Sequence, residues 1–179
     1  MRKVMAILIC ALGCLAGRAQ GVQDFASRLM ERCADDTAIY CITISPKMME
    51  QLAMKQADDR KEEMMARAIQ KLKSARIITA STKADHYYAI AEELLERNKQ
   101  RFHHGDDYRN ATAYGSFYTR NGKGGTTVEL ILLHADQKKD NMVVVNLTGD
   151  LDEEFVETLR ENFSGNRKVR EGDHGGGQK

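Results

Sequence analysis

The stretch YRNATAYGSFYTRNGKGGTTVELILLHADQKKDNMVVVNLTG, residues 108–149, decides the fold. Apolar and polar side chains alternate along it, and two turn-rich breaks, NGKGG at 121–125 and QKKDN at 137–141, interrupt it. Period-two alternation puts successive side chains on opposite faces of a strand, and short links containing Gly or Asn close hairpins. The segment therefore reads as three strands, 108–120, 126–135 and 142–149, in an antiparallel meander. In the first of them Tyr108, Tyr114 and Tyr118 fall at even positions with Asn110, Thr112 and Ser116, which predicts one mixed tyrosine face.

Outward from the meander the period is helical. ADHYYAIAEELLERNK (84–99) gathers Tyr87, Tyr88, Ala91, Leu94 and Leu95 into one broad apolar stripe. DFASRLMERC (24–33) does the same with Phe25, Leu29, Met30 and Cys33, and Asp24 is placed to cap it. TAIYCITI (37–44) is β-branched and aromatic, a strand, and Ser45 followed by Pro46 signals the start of a helix. The charged run KQADDRKEE (55–63) contributes no core residue. MMARAIQKLK (64–73) reads as helix through Met65, Ile69 and Leu72, and ARIITAS (75–81) as strand. Asp150 with Glu153 resembles a capping box opening a helix whose Phe155, Leu159 and Phe163 share a face. The expected architecture is a single α+β domain: helices against one face of a roughly five-stranded, largely antiparallel sheet that ends in the three-stranded meander.

The 179 residues suit one domain, and 42% hydrophobic with 30% charged residues excludes collagen-like and wholly disordered chains. Residues 1–19 read as a secretory signal: Arg2 and Lys3, the apolar run VMAILICALGCLAG (4–17), then Gly17 and Ala19 around Arg18. The apolar run is shorter than the roughly 20 residues a membrane-spanning helix needs. Cleavage after Ala19 would leave the domain at 20–163. The alternative route is lipoprotein processing at Cys14 within ALGC (11–14), which would tether the protein to a membrane. Both routes predict export. Without Arg2, Lys3 and Arg18 the chain carries 24 basic and 26 acidic residues, so it has no global footprint for nucleic acid. The tail SGNRKVREGDHGGGQK (164–179) lacks periodicity and is expected to be disordered.

Two of the four cysteines lie in the signal. Cys33 and Cys41 remain, and a helix-to-strand reversal could join them as a disulfide or leave two buried thiols. RFHHGDDY (101–108) offers His103, His104, Asp106 and Asp107 as metal ligands, yet neighbouring side chains diverge, so a solvated turn is the expected reading. There is no HExxH, GxSxG or CxxC pattern, and NGKGGTT (121–127) lacks the spacing of a phosphate loop. DLDEE (150–154) has no calcium-loop pattern, and its carboxylates suit the first turn of a helix. No residue is assigned a catalytic or cofactor-binding role.

FASRLMER, the strand into ISPKMM, KLKSARII and the closing VVVNLTGDLDEEFVETL together resemble the domain of unknown function 4252 family, over residues 24–163. That resemblance implies a small α+β domain in the cell envelope of Bacteroidetes and supplies no activity and no site residues. In such a setting Asp36, Thr37 and Ala38 match a short O-glycosylation pattern, with Thr37 as acceptor. The expected function is non-enzymatic binding of an envelope protein or a small ligand in the periplasm or outer envelope. The second expectation is a metal-dependent or thiol-redox activity centred on His103, His104, Asp106 and Asp107 or on Cys33 and Cys41.

Overall fold

The computed structural model describes residues 23–54, 66, 67 and 69–164, with the side chains of 52–54 and 161–164 excepted. The expected signal segment with Cys14, the charged run from residue 55, and the tail beyond Ser164 lie outside the described residues. The chain forms α1 (Phe25–Arg32), β1 (Ile39–Ile44), α2 (Pro46–Met54), β2 (Leu72–Ala80), α3 (Ala84–Glu96), β3 (His103–Arg109), β4 (Ala113–Asn121), β5 (Thr127–Asp136), β6 (Asn141–Leu151) and α4 (Glu153–Ser164). The class is α+β, as expected. The strands make one antiparallel sheet in the order β1-β2-β6-β5-β4-β3.

The sheet has six strands rather than five because the stretch read as a turn, His103–Arg109, is its edge strand. The expected single strand 108–120 is split by a tight turn. Asn110 donates its N–H to the carbonyl of Ala113 at 2.8 Å, and its side-chain oxygen accepts from the N–H groups of Thr112 and Ala113. At the other end of the sheet, the helix expected over 64–73 stops short of Leu72, which opens β2. Gly149 stands at the β2–β6 bulge with φ of +156°, where any Cβ would strike the Lys71 carbonyl.

Helices cover both faces of the sheet, not the single face that was expected. On one face α1 and α3 bury Phe25, Leu29, Tyr87, Ala91 and Leu95 against Ile78, Ile131, Leu133, Met142 and Val144. On the other, α2 and α4 bury Met49, Phe155 and Val156 against Ala75, Phe117, Leu130, Leu132 and Leu147. The consecutive buried residues Leu130, Ile131, Leu132 and Leu133 are the direct result. A strand dry on both sides is apolar without alternation, and each of these side chains contributes about 1.5–3 kcal/mol on burial.

Caps fix the helices. Asp24 accepts from the Ser27 N–H at 2.9 Å to open α1, and Ser45 accepts from the Met48 N–H at 3.3 Å to open α2. The strand β6 runs on to Leu151, so Asp152, not Asp150, caps α4 by accepting from the Phe155 N–H at 2.9 Å. The capping residue of α3, Lys83, is left-handed and makes no side-chain cap bond. Asp140, in the β5–β6 turn, does the work instead, accepting from the N–H groups of Lys83 and Ala84, both at 2.9 Å.

Candidate functional site

The β3–β4 hairpin and α3 enclose a cleft of about 460 Å³ at one edge of the sheet. From α3, Asp85, Tyr88 and Glu92 line it, at the three- and four-residue spacing that keeps them on one helical face. Strand β3 adds Asp107 and Arg109, and β4 adds Tyr114 and Ser116. Tyr88 and Tyr114 meet edge to face with ring centroids 4.6 Å apart, and Tyr114 donates its hydroxyl proton to Asp85 at 2.8 Å. The Arg109 guanidinium lies 4.9 Å from the Tyr114 ring centroid, a cation held over an aromatic face. Glu92 is exposed and makes no hydrogen bond or ion pair among the described residues. Three carboxylates against one guanidinium leave the cleft net negative.

A bulge in β3 shapes the rest of the cleft. Gly105 and Asp106 together oppose the single residue Phe117, so His104 pairs with Tyr118 and Asp107 with Ser116. The extra residue returns positions 104 and 107, which strict alternation would put on opposite faces, to the same face. His104 Nε2 consequently lies 2.8 Å from Asp107 Oδ1. Tyr88 and Ser116 hydroxyls are 2.6 Å apart, and Ser116 stands opposite Asp107 across the two strands. Burial works to raise the Asp107 carboxyl, but the bonds from Ser116 and His104 outweigh it and hold it below the usual carboxylate range. Burial pushes the Tyr88 phenol up.

The chain Ser116, Asp107, His104 has the parts of a hydrolytic triad in the wrong order. A nucleophilic serine needs an imidazole beside it to take its proton, whereas here it meets a carboxylate with depressed basicity, and Ser116 is only 4% exposed. The arrangement orients Tyr88 and supplies no activated nucleophile.

Of the residues picked out from the sequence, His104 and Asp107 come together, but His103 faces the other side, opposite Thr119, and Asp106 sits exposed in the bulge. Among the described residues no three His, Cys, Asp or Glu side chains converge as metal ligands. Cys33, which caps the end of α1, and Cys41 in β1 are free thiols that border the same apolar cluster. Burial raises both above the ordinary thiol range, which disfavours the reactive thiolate. Thr37 is exposed, while its neighbour Asp36 serves the fold by accepting from the Ala38 N–H and the Tyr87 hydroxyl.

The expected common face of Tyr108, Tyr114 and Tyr118 does not form. Tyr108 precedes the turn at Asn110 and pairs with Gly115, which sends it to the face opposite Tyr114 and Tyr118. Its ring crosses Gly115, where a Cβ would collide with it and with the Leu133 carbonyl, and its hydroxyl reaches His134 Nδ1 at 2.6 Å. Glu129 escaped the sequence reading altogether. It is fully buried, accepting from the Phe25 N–H at 2.8 Å and from the Asn146 amide at 3.1 Å, with Arg120 Nε at 2.7 Å. One signal was there: a lone carboxylate on the same strand face as Ile131 and Leu133 must have a charged partner.

A family model described as "Domain of unknown function (DUF4252)" matches residues 34–159. Searching the curated proteins returns no match. Among solved structures, the Ran-binding protein Mog1p of Saccharomyces cerevisiae is similar at 15% identity and a TM-score of 0.28, covering 51% of this chain and 57% of that one. A mutant of protein Mog1 gives the same identity, coverage and TM-score. The chain thus spans a little over half the length of these structures, and at that score the likeness transfers no function.

Proposed function

The chain belongs to the DUF4252 family, and from that premise we propose a non-enzymatic binding domain of the cell envelope whose cleft between α3 and the β3–β4 hairpin takes a basic group. The carrying observation is the guanidinium of Arg109 over the Tyr114 ring, beside Asp85 and Glu92. That contact is an internal example of what the cleft attracts: a planar or compact cation between tyrosine faces and carboxylates. Glu92, exposed and unpaired among the described residues, is the carboxylate left for an incoming cation. A lysine or arginine side chain of an envelope partner, or a small amine, has this chemistry. Export rests on the N-terminal sequence with its Arg2–Lys3 start and apolar run. Among the described residues no helix is long and apolar enough to cross a membrane.

The test is a titration with N-acetyl-arginine amide, followed by intrinsic tyrosine fluorescence, since the chain has no Trp. Saturable binding should appear and should weaken about tenfold in Glu92→Gln, the change expected for losing one charge-assisted contact. Arg109→Ala should tighten it by removing the internal competitor. The neutral citrulline analogue is the control: equal binding of both probes would refute recognition of charge and with it this reading.

A further inference from the structure

The two edges of the sheet are built differently. The β3 edge, HHGDDYR, carries charged and imidazole side chains and a bulge, both devices that prevent strand addition. The opposite edge, β1, reads IYCITI and has no charge, no proline and no bulge along its register with β2. Among the described residues it pairs with β2 alone. Tyr40 and Ile42, 50% and 51% exposed, stand on its open face, and half-buried Ile77, Val143 and Val145 continue the apolar surface inward across β2 and β6. The Ser81 N–H donates to the Ala38 carbonyl, so the even-numbered residues of β1 direct their backbone groups to β2. Ile39, Cys41 and Thr43 therefore present N–H and C=O groups outward.

We propose that the β1 edge pairs antiparallel with the β1 edge of a second copy of this chain, on a two-fold axis at Cys41, to give one continuous sheet through both copies. The sequence of the edge is self-complementary about that residue. Tyr40 of one copy falls opposite Ile42 of the other, an aromatic with a β-branched side chain on the same face. Exposed Asp35 lies in the turn that leads into β1 and exposed Lys47 in the first turn of α2 that follows it, so antiparallel pairing brings the acidic approach to each strand toward the basic exit from its mate. That complementarity selects a second copy over an unrelated strand. An isologous contact of this kind closes at the dimer.

Sedimentation of the purified full chain over a range of concentrations tests this. It should show a monomer–dimer equilibrium, with the dissociation constant raised at least about tenfold by Ile42→Lys, which places on β1 the charge that edge strands commonly use. Thr43→Pro should do the same by deleting an outward N–H while sparing the bonds to β2. Unchanged far-ultraviolet dichroism and unfolding midpoints show that both variants fold. In a Cys10→Ser, Cys14→Ser, Cys33→Ser background, which keeps Cys41 as the one thiol, a short bis-methanethiosulfonate reagent should link two chains. A chain that stays monomeric at every concentration overturns the proposal, and so does a dimer that is indifferent to Ile42→Lys and Thr43→Pro and gives no Cys41 link.

Discussion

Glu129 shows what a single residue can settle. Its carboxylate is fully buried beneath the start of α1, where it accepts from the Phe25 N–H, while Asn146 accepts from the Ala26 N–H at 3.1 Å. The first N–H groups of a helix have no partner within it and carry partial positive charge, so a buried carboxylate there is satisfied twice, by the helix and by Arg120. Replacing it by leucine leaves Arg120, the Phe25 N–H and the Asn146 amide without their acceptor. Glu129→Leu should lower stability by about 3–5 kcal/mol, the range for breaking one side of a buried pair. Urea unfolding monitored by circular dichroism measures it, and a loss under about 1 kcal/mol would mean that the pair is dispensable.

At the scale of elements, α3 is held by another element's side chain. Lys83 adopts φ of 56° and makes no side-chain cap bond, so Asp140 reaches across from the β5–β6 turn to the N–H groups of Lys83 and Ala84. Those two backbone donors hold the Asp140 carboxyl below the usual carboxylate range. Tyr88 and Asp85, which line the cleft, lie in the first turns that this contact secures. In Asp140→Ala, amide hydrogen exchange should accelerate at residues 84–88 and leave the central strands β5 and β6 protected. Uniform acceleration through the sheet would instead assign Asp140 to global stability. The hairpin opposite is the other element-scale lesson. Residues 103–109 conceal a strand because one extra residue breaks the period-two signal, and that same residue brings His104 and Asp107 together.

For the whole molecule the titrating groups point one way. Burial lowers the affinity of His134 for a proton below that of an exposed imidazole. The unfolded chain therefore takes up this proton first as pH falls. Stability is full above about pH 6.5 and declines as the pH drops toward the lower folded value. Asp36, held down by the Tyr87 hydroxyl and the Ala38 N–H, Asp140, and Asp152, held down by Lys71 and the Phe155 N–H, act in the same direction lower on the scale. Their stabilisation is present above about pH 4, near the unfolded value, and is lost as pH falls through the folded values. Thermal melts should show two declines in Tm on acidification, the upper one absent in His134→Gln. An upper decline that survives the substitution would assign it to another group.

The sequence by itself determined the class and most of the elements, because burial against one layer writes its period into the chain: the stripe of Tyr87, Tyr88, Ala91 and Leu95 on α3, the strands β4 to β6, and the Ser45–Pro46 start of α2. It determined the family through the order of those pieces. Only the tertiary structure decided which side of the sheet each helix covers and how the edges end. It also decided which polar residues meet: Tyr114 with Asp85 and Arg109, His104 with Asp107, and Glu129 with Arg120 and the α1 N–H groups. These contacts join residues on different elements or across a bulge, and local periodicity cannot encode a distance between segments that only the closed sheet brings together.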